Sequence, residues 1–243
     1  MIINMQQHYT VNLAGFRLNC NFEFPDTANY FGRYCDGPFG GTGELSVPED
    51  FWIQWVRDIG PRNAFNEYSA FACIASAGLL KSDCCVMHAV AMRWRDRALL
   101  IAAPPGVGKT TQFKTLDMLY PGEFGMICGD KPVIEYCMNG TFLVHPSPWN
   151  GKEKMSGSDT APLAAIIMLS RGEETTITEP PVQNYAAKLF GAILNLSDSE
   201  MSIQRAASFE EKLIKSTRVF SMVNGGIPNS SKLLYDTVLK ELD

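Results

Sequence analysis

A strand, a glycine-rich loop and a helix are predicted in succession at residues 98–119, and this order constrains the fold more than any other feature of the chain. Residues 98–102 are an apolar run typical of a buried strand, and residues 110–119 favour a helix. The stretch from Ala103 to Thr110 fits the pattern G-x-x-x-x-G-K-[ST], with Ala103 in place of the first glycine. A strand before the loop and a helix after it are the context that this pattern needs. The sequence therefore predicts a phosphate-binding loop in an α/β domain.

The predicted loop suits the phosphates of a nucleoside triphosphate. Its backbone N–H groups are expected to point at phosphate oxygens, where the helix N-terminus adds partial positive charge. Lys109 is expected to reach the β- and γ-phosphates and to take part in catalysis, and the Thr110 hydroxyl is expected to bind Mg²⁺. An ordinary Gly/Pro turn between a strand and a helix is the alternative interpretation. The nucleotide-binding candidates are Pro105, Gly106, Val107, Gly108, Lys109, Thr110 and Thr111.

Composition argues against several classes of partner. The chain has 243 residues, 46% of them hydrophobic, which is enough for a sizeable core. Its net charge is −5 and no long run of Lys or Arg occurs, so we expect neither nucleic acid nor a membrane as a partner. The N-terminus lacks a signal-peptide pattern and no apolar run reaches the ~18 residues of a membrane span, so a cytoplasmic protein is expected. Seven cysteines without a C-x-x-C pair favour reduced thiols over disulfides or a zinc site.

Two regions of the chain differ in texture. Residues 1–62 are aromatic-rich and weakly alternating, which predicts a small β-rich region, whereas residues 63–243 carry the motifs and are expected to form the nucleotide-binding domain. Further strands are predicted at residues 124–128, 132–137, 141–144, 162–169 and 217–223. Further helices are predicted at residues 66–80, with Asn66 as N-cap, and at residues 183–194, 199–215 and 229–242.

A predicted hairpin brings a histidine to the glycine-rich loop. Residues 84–94 and the strand that enters the loop are expected to pair in antiparallel fashion across a tight turn. If Trp94 faces Arg97 across that turn, His88 lies opposite Ala103. A histidine in an apolar stretch is by itself more typical of a core residue. Beside the loop, His88 is expected to donate to a transferring phosphoryl group or to orient a substrate hydroxyl.

A carboxylate ends another predicted strand about twenty residues after Lys109. Asp130, in Gly129-Asp130-Lys131-Pro132, is a candidate to hold Mg²⁺ through water or to accept the proton of an attacking hydroxyl. An ordinary turn aspartate before Pro132 is the alternative. Lys131 either reaches a phosphate or faces solvent.

The segment at residues 145–153 has the composition of a loop that covers a ligand. It combines two prolines, an aromatic residue, a glycine and two charged residues just after a predicted strand. Trp149 is expected to cap the site, Lys152 to contact phosphate, and Glu153 to contact metal or substrate. An irregular surface turn is the alternative.

Taken together, these motifs resemble the HPr kinase/phosphorylase-like kinases, within the wider fold group of the phosphoenolpyruvate carboxykinases. The likeness covers roughly residues 65–225 and depends on the order and spacing of the motifs. It implies an α/β fold with a P-loop core, a mixed β-sheet, flanking helices and an antiparallel strand that precedes the phosphate-loop strand. The matching motifs are His88-Ala89-Val90-Ala91, Ala103 to Thr110, Gly129-Asp130-Lys131-Pro132 and Pro148-Trp149-Asn150-Gly151-Lys152-Glu153.

The resemblance also implies ATP- and Mg²⁺-dependent phosphorylation of a hydroxyl, usually that of serine. Carried over residue by residue, His88 and Asp130 act at the reacting centre, while Lys109 and Thr110 bind the nucleotide and Mg²⁺. Bacterial HPr kinases typically carry two adjacent aspartates where this chain has Asp130-Lys131, and their C-terminal signature for HPr binding is not evident here. A homo-oligomer is a further expectation, because the relatives often form assemblies.

The sequence as a whole predicts a cytoplasmic kinase that transfers the γ-phosphate of ATP to a hydroxyl. A serine of a peptide or protein is the expected acceptor, and a small hydroxylated metabolite such as free serine is the alternative. Residues 1–62 are expected to recognise the acceptor, because they lie outside the nucleotide motifs. Two competing hypotheses are a nucleotide-binding regulator that transfers no phosphate and a decarboxylase of the carboxykinase type. The second ranks lower, since the chain is far shorter than those enzymes.

Overall fold

Two β-sheets and the helices packed on them form the part of the chain that this computed structural model describes, residues 7–36, 40–195 and 200–242. The smaller sheet has the strand order β3-β1-β2-β4 and comes from the N-terminal region. Its strands are β1 (Gln7–Leu13), β2 (Phe16–Phe22), β3 (Cys35–Asp36) and β4 (Thr42–Leu45). A small sheet therefore lies where the sequence predicted a β-rich region. That region also contains two helices that the sequence analysis did not predict, α1 (Thr27–Phe31) and α2 (Glu49–Asp58).

The larger sheet is mixed, as predicted. Its strands run in the order β5-β9-β10-β11-β7-β6-β8, with β13 beside β11 and β12 beside β13. Three of them, β7, β11 and β13, are mutually parallel, and the other pairs are antiparallel. The strands are β5 (Cys84–Val86), β6 (Ala89–Trp94), β7 (Arg97–Ala102), β8 (Phe124–Cys128), β9 (Val133–Tyr136), β10 (Phe142–His145), β11 (Ala161–Arg171), β12 (Thr176–Thr178) and β13 (Arg218–Asn224).

The predicted hairpin register is confirmed. Trp94 pairs with Arg97 and Ala89 pairs with Ala102, where the ladder ends. His88 follows directly, and its Nε2 and the Ala103 carbonyl both lie close to Lys109 Nζ. The two-residue turn between the strands is possible because Arg95 adopts a left-handed conformation, with φ of +53°.

The prediction of one strand over residues 84–94 is wrong, because the chain bends after Val86 and forms two strands. At the bend, the Met87 N–H bonds to the Pro132 carbonyl at 3.1 Å and the His88 N–H bonds to the Ala192 carbonyl at 2.7 Å. Pro132 and Ala192 are far from the bend in sequence. The alternation of apolar and polar residues along the strand could therefore not reveal these hydrogen bonds. The bend sends β5 to pair with β9 and turns His88 out of the hairpin ladder.

Helices cover both faces of the larger sheet. They are α3 (Ala64–Leu79), α4 (Lys109–Leu119), α5 (Ala186–Ala192), α6 (Glu200–Ser216) and α7 (Asn229–Leu234), which continues through a π-helical turn (Tyr235–Leu239) into α8 (Lys240–Leu242). Two boundaries correct the prediction: α3 is capped by Asn63, whose side chain accepts from the Asn66 N–H, and α5 is shorter than expected because the chain enters it through a 3₁₀ turn (Val182–Asn184). The predicted helix start at Ser199 lies outside the described residues. Within the described ranges, the helices are too short or too polar to cross a membrane.

The two faces of β7 explain why its sequence is apolar throughout. Leu100 packs into one buried cluster with Leu189 of α5 and Phe209 of α6. Its neighbours Leu99 and Ile101 point to the other face, into a cluster that holds helices α4 and α7. Since side chains alternate along a strand and both faces are covered, residues 98–102 of this central strand are all buried, and only Arg97 at its start is exposed.

A third buried cluster joins the N-terminal sheet to the larger one. Phe22 and Phe31 pack there against Phe71 of α3, together with Val86 of β5 and the indole of Trp149. Apolar contact therefore crosses the predicted division at residue 62. The division into an acceptor-binding region and a nucleotide-binding domain remains a prediction.

A buried carboxylate, Glu67 of α3, secures the chain that leads into α1. It is 1% exposed and accepts hydrogen bonds from the Glu23 N–H at 2.7 Å, the Phe24 N–H at 3.1 Å and the Thr27 hydroxyl. Burial raises its pKa above the ordinary value of 4.5, and the three hydrogen bonds oppose that rise without cancelling it. The folded protein therefore binds a proton at Glu67 more tightly than the unfolded chain does.

The Glu67 pKa predicts a pH-dependent stability difference. Because the folded pKa is the higher one, the contribution of Glu67 is fully present below 4.5 and is lost as pH rises through the folded pKa. Relative to Glu67→Gln, the wild-type free energy of unfolding should be more favourable at about pH 4.5 than at about pH 7.5. Urea unfolding of both proteins at both pH values measures this, since all other groups cancel. A difference that grows as pH rises would contradict the assignment.

Candidate active site

The glycine-rich loop, residues 103–108, connects β7 directly to the first turn of α4. Gly106 and Gly108 have φ values of +78° and +110°, in the left-handed region that favours glycine. The Gln112 N–H bonds back to the Gly108 carbonyl at 3.0 Å, so the helix begins at the lysine of the motif. The strand, loop and helix predicted from the sequence are therefore present, in the backbone geometry that the two glycines permit.

An arginine that the sequence analysis missed holds this loop in place. Arg171 ends β11, the parallel neighbour of β7, and its Nη2 and Nε donate to the carbonyls of Gly106 at 2.6 Å and Val107 at 3.3 Å. The partners are 64 and 65 residues apart in sequence. Only the pairing of β11 with β7 could have pointed to this contact.

Four side chains form one connected cluster beside the loop. Lys109 Nζ lies 2.7 Å from the Ala103 carbonyl and 3.4 Å from His88 Nε2. His88 Nε2 is in turn 3.3 Å from Asp130 Oδ1, and Lys131 Nζ contacts the other oxygen of the same carboxylate. We call Lys109, His88, Asp130 and Lys131 the reactive cluster. Each of its members was predicted from the sequence as a site residue.

Backbone hydrogen bonds between distant segments set the positions of the cluster. The Ala89 N–H donates to the Asp130 carbonyl at 2.9 Å, which joins the bend in the hairpin to the end of β8. The Lys131 N–H donates to the Trp149 carbonyl, also at 2.9 Å. His88 precedes β6 and Asp130 follows β8, and these two strands are neighbours in the sheet.

The charges of the cluster support one another. Burial by itself raises the pKa of Asp130, but its hydrogen bond with His88 and the charge of Lys131 outweigh burial and leave the pKa below the ordinary value of 3.8. The Asp130 carboxylate is therefore ionised at neutral pH. Burial lowers the pKa of Lys109, the negative charge of Asp130 opposes this, and Lys131 adds to it. A phosphate beside Lys109 would favour its charged form.

The oxygen donors here fit a Mg²⁺ ion that arrives with a nucleotide. Among the described residues, no three His, Cys, Asp or Glu side chains come together to hold a metal by themselves. Thr110 offers a hydroxyl in the first turn of α4, and Asp130 offers a part-buried carboxylate that stays ionised. Mg²⁺ is commonly held by one or two such protein ligands, with phosphate oxygens and water completing its shell.

The prediction that Trp149 caps the site is wrong, because its side chain is buried in the third buried cluster. The indole is 2% exposed, its N–H donates to the Tyr68 carbonyl at 2.8 Å, and its ring lies 5.8 Å from that of Phe31 in a T-shaped contact. The third buried cluster takes up this apolar ring, so it is part of the core. Its carbonyl still serves the site by accepting from the Lys131 N–H.

The two charged residues after Trp149 lie at the surface. Glu153 pairs with Lys114 on the exposed side of α4, and Lys152 is exposed in the turn that precedes Glu153. The predicted contact of Lys152 with phosphate and that of Glu153 with metal or substrate remain predictions. The Glu153 pair does fasten the segment to the helix that starts at Lys109.

Truncation of Trp149 should measure its core role. Trp149→Ala is expected to lower the free energy of unfolding by about 3–5 kcal/mol, because a large buried side chain is replaced by a cavity. The control is Lys152→Ala, in the same loop. Its free energy of unfolding should stay within about 0.5 kcal/mol of wild type, because the Lys152 side chain is exposed. Chemical denaturation measures both. Unchanged stability in Trp149→Ala would show that the indole does not belong to the core.

A cavity of about 780 Å³ opens next to the reactive cluster. His88 and the glycine-rich loop line it, together with the C-terminal ends of β7 and β11 and with Ser221 of β13. In sheets with parallel strands, ligands bind at these carboxyl ends. His88 therefore belongs both to the charged cluster and to the wall of a cavity.

Comparisons with known proteins add little to this geometry. None of the protein-family models matches the chain, and no curated protein is similar to it in sequence. Among solved structures, the Hpr(Ser) kinase/phosphatase from Coxiella burnetii matches with a TM-score of 0.35 and 13% sequence identity, over 65% of this chain and 99% of that one. Neither family membership nor an activity follows from a likeness of this size.

Proposed function

We propose that this protein is an ATP- and Mg²⁺-dependent kinase that transfers the γ-phosphoryl group to an alcohol hydroxyl. The observation that carries the proposal is the reactive cluster, in which Lys109 at the start of α4 is joined through His88 to the ionised Asp130. A lysine for phosphate, a carboxylate for metal or proton, and a histidine between them are the groups that phosphoryl transfer needs.

The loop and the first turn of α4 hold the triphosphate. Backbone N–H groups of residues 106–109 and the Lys109 ammonium bind the β- and γ-phosphates. The Thr110 hydroxyl and the Asp130 carboxylate supply oxygen ligands for Mg²⁺. When bound, Mg²⁺ neutralises charge that develops on the phosphate oxygens during transfer.

The histidine–aspartate pair handles the acceptor proton. The acceptor oxygen forms a bond to the γ-phosphorus while the bond from that phosphorus to the bridging oxygen of ADP breaks. The hydroxyl proton passes to the pair formed by His88 and Asp130, whose atoms are 3.3 Å apart. Asp130 stabilises a protonated His88, or accepts the proton itself.

One observation favours a second candidate, a nucleotide-binding regulator without transfer. Lys131 Nζ contacts Asp130 Oδ2, so a lysine stands against the oxygen that would otherwise face metal or proton. In such a protein ATP would bind in the same way and no acceptor would be modified. Cytoplasmic location and a homo-oligomeric state remain expectations of either candidate. Acceptor recognition by residues 1–62 remains an expectation of the kinase alone.

Transfer of label from γ-labelled ATP separates the two candidates. The purified chain is incubated with labelled ATP, Mg²⁺ and a cell extract, and label is followed on ATP, on inorganic phosphate and on acceptors. A kinase moves label to an acceptor, and Lys109→Ala abolishes the transfer. ATP that binds measurably while label never reaches an acceptor would overturn the kinase proposal in favour of the regulator.

A further inference from the structure

The cavity beside His88 has a size and a lining that select its ligand. Its volume of about 780 Å³ lies within the roughly 300–1,000 Å³ typical of small-molecule sites. Three basic side chains line it, those of His88, Arg171 and Lys188, and no Asp or Glu belongs to its lining in the described part of the chain. Asp130 contacts His88 from outside this lining. Arg171 and Lys188 are therefore the basic groups of the lining that favour a ligand with negative charge.

A second wall of the cavity comes from the segment that leads into and forms α5. This wall consists of residues from Thr178 to Ala192 and includes Lys188. Tyr185 and Leu189 anchor it in the core, at 7% and 0% exposure. At its far end the Ala192 carbonyl accepts from the His88 N–H, so the wall is tied to the reactive cluster. The volume of this cavity suits a small molecule.

The basic side chains of the cavity have different tasks. Arg171 already donates two hydrogen bonds to carbonyls of the glycine-rich loop. His88 belongs to the reactive cluster. Lys188 is exposed to solvent and belongs to the same cavity lining as these groups. It is therefore the basic group that a substitution can probe without loosening the loop or removing a member of the cluster.

The geometry points to an acceptor that is a small alcohol bearing a carboxylate or phosphate group, bound in this cavity with its charge toward Lys188. This inference rests on the proposed kinase function and names the substrate class of that site. The acceptor hydroxyl lies at His88, its oxygen bonds to the γ-phosphorus as ADP departs with the bridging oxygen, and its proton passes to the His88–Asp130 pair. The products are ADP and the phosphate monoester of the anionic alcohol.

The test uses the full-length chain with γ-labelled ATP, Mg²⁺ and three fractions of a cell extract. The fractions are macromolecules, small molecules retained on an anion exchanger, and small molecules that pass through it. We expect label to move into the retained small-molecule fraction. Lys188→Glu should slow that transfer at least about tenfold and leave the KM for ATP within about threefold. Lys81→Glu, an exposed lysine remote from the cavity lining, is the matched charge-reversal control and should leave both unchanged.

The other outcomes overturn the inference in distinguishable ways. Label on macromolecules would mean that a peptide or protein is the acceptor, and label in the unretained fraction would mean a neutral or cationic alcohol. A Lys188→Glu variant whose KM for ATP rises about tenfold would mean that the cavity holds the nucleotide. Label in none of the fractions, with ATP bound, would overturn the kinase proposal and this inference together. Label in the wrong fraction overturns this inference alone.

Discussion

Lys109→Ala should lower the turnover number for phosphoryl transfer by at least about a hundredfold, the scale expected when one preorganised charged donor is removed from a reacting phosphate. The lysine is 8% exposed, and its Nζ is held 2.7 Å from the Ala103 carbonyl at the mouth of the loop. Because the ammonium is fixed before the nucleotide arrives, little reorganisation is needed when charge develops on the γ-phosphate. Steady-state kinetics with labelled ATP measures the loss, and calorimetry measures the accompanying weaker nucleotide binding.

Two further variants test whether the loss of turnover in Lys109→Ala is specific to the Lys109 side chain. Lys114→Ala removes a lysine from the exposed side of the same helix and should leave turnover within about twofold, since surface ion pairs contribute little. Lys109→Arg keeps the charge but places a planar, larger group in a confined position, so it should recover little activity. Thermal unfolding of each variant excludes loss of folding as the cause. Turnover that survives in Lys109→Ala would remove the phosphate-binding role of the loop lysine.

Asp130→Asn should cut turnover by about 10²–10⁴-fold while nucleotide affinity stays within about tenfold. The amide keeps the shape of the carboxylate but lacks the negative charge that faces His88 and Lys131. Without that charge, a protonated His88 is no longer stabilised and Mg²⁺ loses an anionic ligand. Phosphates would still be held by the glycine-rich loop, so binding should persist when catalysis fails.

The matched control for this variant is Asp117→Asn, an exposed carboxylate on α4. It changes the net charge by the same amount and should leave turnover near wild type. Titration with Mg²⁺ gives a second readout: Asp130→Asn should need more Mg²⁺ for half-maximal rate, and Asp117→Asn should not. Full activity of Asp130→Asn would show that the Asp130 carboxylate has no role in the reaction.

Local sequence patterns predicted which residues come together beside the glycine-rich loop. The apolar strand, the two glycines and the lysine at the helix start lie within a dozen residues, where propensity and turn geometry dominate. The hairpin register followed from a two-residue turn, and it placed His88 beside Ala103 because pairing in an antiparallel ladder is fixed once the turn is fixed. Asp130 was found because it stands at the end of an apolar strand.

Patterns of the same kind misplaced residues whose surroundings come from distant parts of the chain. Trp149 stands between a proline and an asparagine in a loop, which looks like a ligand cap, yet it fills a cluster built from α1, α3 and β5. Alternation across residues 84–94 could not show the bend at His88, because the hydrogen bonds that hold it come from Pro132 and Ala192.

The sequence by itself determined a phosphate-loop-like strand, loop and helix, and the residue types of the reactive cluster, because each depends on neighbours a few positions away. Only the tertiary structure decided that Arg171 holds the loop, that Lys131 pairs with Asp130, and that a basic cavity opens beside His88. The Arg171 contact and the cavity require strands far apart in the chain to lie side by side. Their physical cause is the parallel packing of β7, β11 and β13, which gathers residues from three separate segments at one edge of the sheet.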